Sequence, residues 1–77
     1  MITTVEEGRH LHITGDTGDT IQTDLNTAVD IVKIQAIQEG RHGILVTRHG
    51  PGNYTVAISP EVPYGRTLEK RAMALSS

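Results

Sequence analysis

Cysteine, phenylalanine and tryptophan are all missing from this 77-residue chain, and Tyr54 and Tyr64 are its only aromatic residues. Without cysteine there is no disulfide framework, no thiolate metal site and no thiol nucleophile. Small secreted domains lean on such staples, so the expectation is a reducing compartment, the cytoplasm of a cell. No stretch approaches the roughly 18 apolar residues that span a bilayer. The opening MITTVEEGRH lacks the basic patch and apolar run of a signal peptide. The expected chain is therefore soluble, with no membrane partner. With Phe and Trp absent, the core must come from Ile, Val, Leu and Ala. A domain near this length buries only about 60% of the surface its unfolded chain exposes. One domain with a thin core follows, and dimerisation is a common remedy for such a core.

The net charge of −2 is unremarkable, but its distribution is uneven. Residues 1–32 hold six carboxylates (Glu6, Glu7, Asp16, Asp19, Asp24, Asp30) against Arg9 alone, a net of −5. Residues 33–77 hold six cations (Lys33, Arg41, Arg48, Arg66, Lys70, Arg71) against Glu39, Glu61 and Glu69, a net of +3. Such a split marks a polar surface for a charged partner, or else the two signs interleave once the chain folds.

Residues 2–6 and 9–14 are β-prone, and Glu7-Gly8 between them predicts an N-terminal hairpin. In the second run Leu11 and Ile13 alternate with His10 and His12, the pattern of a half-buried strand. GDTGDT at 15–20 reads as a polar loop. A helix is predicted to open near Thr23 or Asp24, whose side chains can accept a first-turn N–H. It runs to about Glu39 and stops at Gly40. The β-branched crowding in AVDIVKI leaves a partial strand as the rival there. Ile44–Thr47 and Tyr54–Ser59 predict a second hairpin across His49-Gly50-Pro51-Gly52-Asn53. Pro60 and Pro63 are expected to end regular structure. Leu68, Ala72 and Leu75 recur at helical spacing and predict a short C-terminal helix. The fold expected is a two-layer α+β domain: an antiparallel sheet on one long helix, in the order ββαββ with that short helix at the end. EGRH occurs at 7–10 and again at 39–42, but the flanking residues do not align and chance accounts for it.

At about 100° per residue, Leu25, Ala28, Val29, Val32 and Ala36 share one helix face, and Ile31, Ile34 and Ile37 fall near the opposite one. One face seats the helix on its sheet. The second needs another cover, either a second copy of the chain or the C-terminal helix through Leu68, Ala72 and Leu75.

Few patterns carry chemistry. Arg48-His49-Gly50 after an apolar strand matches the tripeptide of the histidine phosphatases. That family also needs a second catalytic His, more phosphate-binding Arg and a far longer fold, so a hairpin turn is the simpler account. His10 and His12 point the same way on a strand, with His42 or His49 as a conceivable third ligand, but no fourth is evident and no metal site is expected. Asp16, Asp19 and Asp24 lack the EF-hand spacing, and GDTGD lacks the Gly-Lys-Ser/Thr ending of a phosphate loop. No nucleophile–base pairing is apparent among Ser59, Ser76 and Ser77, the only serines. No catalytic residue and no cofactor is expected. Arg41, His42, Arg48 and His49, at the two ends of one strand, form a candidate polar partner surface.

Residues 43–67, GILVTRHGPGNYTVAISPEVPYGRT, resemble small uncharacterised proteins encoded by actinobacterial phages. The resemblance implies a phage origin, expression in the bacterial host cytoplasm and a role in binding a host or phage protein. The expected function is a non-enzymatic interaction protein, a phage accessory factor that self-associates through Ile31, Ile34 and Ile37. The alternative is a small nucleic-acid-binding regulator, for which the electrostatic footprint is weak. A metal-dependent or phosphate-handling enzyme stands third.

Overall fold

Branched apolar residues alternating with Thr and His build the first hairpin. The strand β1 (Ile2–Glu6) returns as β2 (His10–Thr14), with Ile2 opposite Ile13 and Thr4 opposite Leu11. The protein is seen here in a computed structural model that describes residues 1–16 and 18–71. The turn closes with the Arg9 N–H donating to the Glu6 carbonyl at 3.0 Å.

The helix α1 spans Gly18–Glu39, 22 residues, about 33 Å at 1.5 Å per residue. It begins earlier than the expected Thr23 or Asp24. Neither residue caps. The Thr23 hydroxyl donates to the Asp19 carbonyl at 3.1 Å, and Thr27 does the same to Thr23 at 3.0 Å. Back-bonding to the carbonyl four residues earlier satisfies a threonine hydroxyl inside a helix, though less favourably than at a cap. Asp19 in the first turn complements the helix dipole. Part of the expected 15–20 loop is therefore helix; Thr17 lies outside the described residues. At the other end the expected stop holds. Gly40 takes φ +64°, and its N–H donates to the Ala36 carbonyl at 2.9 Å, closing the last turn where a Cβ would be strained. AVDIVKI is helical throughout, because burying Ala28, Val32 and Ala36 outweighs a modest β-branched penalty.

The second hairpin is as expected but longer. β3 (His42–Gly50) pairs antiparallel with β4 (Asn53–Pro63), with Val46 opposite Val56 and Ile44 opposite Ile58. Pro60 does not end the strand, contrary to expectation. The register jumps from Gly43 opposite Ser59 to His42 opposite Pro63, so Pro60 sits in a bulge. On its other side β4 pairs with β2 only from Asn53 to Ala57. No neighbour needs the N–H that proline lacks, which is where a strand tolerates it.

The expected C-terminal helix is not formed by the residues described there. Thr67–Arg71 is β5, parallel to β3, with Leu45 opposite Leu68; Ala72 and Leu75 lie outside the described residues. Helical spacing was present, but β3 would otherwise offer an edge of unpaired backbone groups, and β5 satisfies it. The expected α+β class holds. The ββαββ order becomes β1-β2-α1-β3-β4-β5, and the sheet is mixed, in the order β1-β2-β4-β3-β5.

To reach β5 from the end of β4, the chain crosses the start of β3. Gly43 is the crossing point. A Cβ there would stand 2.3 Å from the Pro63 carbonyl oxygen and 2.4 Å from that of Arg66. Alongside, the Ile44 N–H donates to the Arg66 carbonyl at 2.9 Å. Between sheet and helix lie Leu11, Ile13, Ala28, Val32, Ala36, Ile44, Val46 and Val56, with Leu25, Val29, Tyr54 and Ile58 around them.

Candidate functional site

The helix divides its apolar residues between two faces, as its periodicity predicts. Leu25, Ala28, Val29, Val32 and Ala36 pack on the sheet, with Ala28 and Val32 fully buried. Ile31, Ile34 and Ile37 are 40, 61 and 56% exposed. Asp30 and Gln38, each four residues from Ile34, flank the stripe one turn to either side. Leu68 does not lie over it. In register with Leu45 on β5, it falls on the sheet face away from the helix, since Ile44 and Val46 face the core.

The proposed partner residues lie at opposite ends of β3. From His42 to Arg48 is about 20 Å of strand at 3.3 Å per residue. At the first end, His42 shares an apolar cleft of about 160 Å³ with Ala36, Ile37, Ile44 and Tyr64, rimmed by Lys33 and Arg66. Arg41 is exposed beside it. At the second end, Arg48 and His49 line an open cleft of about 260 Å³ with Gly50 and Arg71. Arg66 and Arg71 were not part of the surface inferred from sequence. Arg71 joins Arg48 only because β5 pairs with β3, and no local pattern carries that information.

The alternation in β2 holds. Leu11 and Ile13 are buried, and His10 and His12 lie half-buried on the opposite face. That face is lined by rows set by register: Thr3, His12, Thr55, Thr47 and Lys70, and beside it His10, Ala57, Leu45 and Leu68. His12 Nε2 meets Asn53 Oδ1 at 2.5 Å, His49 Nε2 meets Thr55 Oγ1 at 2.6 Å, and the two rings stand 6.3 Å apart. The close histidine pair is thus His12 with His49. Among the described residues no three His, Asp or Glu side chains converge on a metal-sized site. Asp24 instead pairs with the amino group of Met1. Arg48 reaches the helix side, lining a cleft with Ile21, Leu25 and Tyr54, while His49 bonds Thr55 on the other face. The Arg-His-Gly tripeptide is therefore split across the sheet at a strand end.

Comparison with protein-family models, with curated proteins and with solved structures finds no match.

Proposed function

We propose that this chain is a non-enzymatic interaction protein that works as a self-associated assembly, with the outer face of α1 as the contact. The observation that carries this reading is the exposure of Ile31, Ile34 and Ile37 on the helix face turned away from the sheet. Left in water, each forgoes burial worth about 1.5–3 kcal/mol for a fully covered side chain. A two-fold axis through Ile34 lets the stripe cover itself. An antiparallel arrangement sets Ile31 against Ile37 and Asp30 against Gln38, and it opposes the two helix dipoles. The resemblance of residues 43–67 to phage proteins supports an accessory role, in a host cytoplasm, directed at a host or phage protein.

Sedimentation of the wild-type chain and of Ile34→Glu tests the contact. The wild type is expected to sediment as a dimer at tens of micromolar, a concentration that populates a dimer of roughly micromolar affinity. The variant is expected to be a folded monomer or a weakened dimer. A wild type that is monomeric at that concentration refutes the proposal.

A further inference from the structure

Two arginines stand side by side at the end of the sheet, and among the described residues neither has an ion-pair partner. Parallel pairing places Arg48 directly opposite Arg71. Like charges in that relation repel across neighbouring strands. The ion pairs among the described residues are Met1 with Asp24 and Arg9 with Glu39, so neither guanidinium is paired with a described carboxylate. Glu69 lies two residues before Arg71, opposite Val46, and Asp16 shares a cleft with Arg48. Neither carboxylate forms an ion pair with these arginines.

We propose that the cleft of Arg48, His49, Gly50 and Arg71 is a binding site for a single phosphate-class oxyanion. A guanidinium presents paired N–H donors matched to phosphate oxygens, and an anion between two of them converts their repulsion into attraction. Gly50 and His49, whose Nε2 stays engaged with Thr55 Oγ1, line the rest of the cleft. At about 260 Å³, the cleft falls short of the usual 300–1,000 Å³ of drug-sized pockets. It accepts a phosphoryl group and leaves the rest of any larger ligand outside. A discrete group fits better than a nucleic-acid backbone. Tight binding of that polyanion uses many phosphate contacts, whereas this chain carries a net charge of −2, with Glu6 and Glu7 beside the opposite sheet edge.

The test is a titration of the full, isotope-labelled chain with inorganic phosphate, against sodium chloride at matched ionic strength, followed by backbone amide NMR and thermal melting. Phosphate is expected to shift the Gly50 and Arg71 amides saturably and to raise the melting temperature above the chloride control. Arg71→Gln, at the exposed end of β5, leaves the core untouched and should weaken binding roughly 10- to 100-fold, the equivalent of one charge-assisted contact. Arg48→Gln should do the same. A nucleoside monophosphate that binds more tightly than inorganic phosphate identifies a phosphomonoester as the source; equal binding identifies free phosphate. Shifts that do not saturate, a matching response to chloride, or unchanged binding in Arg71→Gln overturns the proposal. So does a short DNA duplex that binds while phosphate has no effect.

Discussion

Glu39, the last residue of α1, accepts a hydrogen bond from the Gln35 side chain at 3.1 Å and another from the Arg9 guanidinium of the β1–β2 turn. The Gln35 bond, then the Arg9 bond, hold its carboxyl below the ordinary value of 4.5 against the opposing effect of burial, with the charges of Arg9 and Arg41 adding less. A carboxyl depressed on folding binds its proton less readily folded than unfolded, so its stabilising effect is complete above the ordinary value and lost as pH falls through the lowered one. Denaturant midpoints of the wild type should therefore drop over that acid window, and those of Glu39→Gln should drop less. Superimposable acid limbs would remove Glu39 from the account. This contact also bears on the two EGRH segments. In each, a glycine of positive φ, Gly8 at +72° and Gly40 at +64°, precedes a strand that opens at a histidine. Arg9 of the first copy pairs with Glu39 of the second. The local job of each copy can be read from its glycine. Their meeting cannot, because it depends on how the hairpin and the helix end come together 30 residues apart.

Among the elements, those written in local chemistry are the ones legible in the sequence. Both hairpins follow from alternation plus turn residues, and the helix stop follows from Gly40. The rest depends on neighbours distant in the chain. Pro60 stays in β4 because the pairing with β2 stops at Ala57 and β4 bulges away from β3 between Ser59 and Pro63. Thr67–Arg71 is a strand because β3 has an open side. Gly43 links these facts: its missing side chain gives the β4–β5 crossover room to pass. Gly43→Ala should be disruptive out of proportion to one methyl group, since the two nearest obstructing atoms are backbone carbonyl oxygens and the third is Cγ1 of the branched Val62. The expected loss is about 1–3 kcal/mol of unfolding free energy, the usual range for overpacking, measured by urea denaturation. An unchanged midpoint would show that the crossover can shift aside. Gly50→Ala is the control, because a Cβ at Gly50 meets nothing within 4 Å.

Over the whole molecule, part of the charge split in the sequence becomes a split across the sheet, while Asp19, Asp24 and Asp30 lie on α1. β1, ending in Glu6 with Glu7 just after it, forms one edge; β5, with Arg66 just before it and Glu69, Lys70 and Arg71 within it, forms the other. The imbalance was visible in the sequence, but its direction in space depends on the strand order. Charged side chains at such edges discourage pairing with other sheets. This leaves the isoleucine stripe as the largest apolar invitation and the arginine pair as the chief electrostatic one. The position of β5 has a consequence in time as well as in space. This strand is exposed along all five residues and is joined to the sheet through β3 alone. Such an element can detach in a partial opening that leaves the core shut. Amide deuterium uptake should then divide in two: the β5 protons fast, with a small opening free energy, and those between β3 and β4 slow, limited by global unfolding. Detachment would separate Arg71 from Arg48, so phosphate should slow the fast class selectively. Arriving anion would act as a latch on a strand that otherwise breathes.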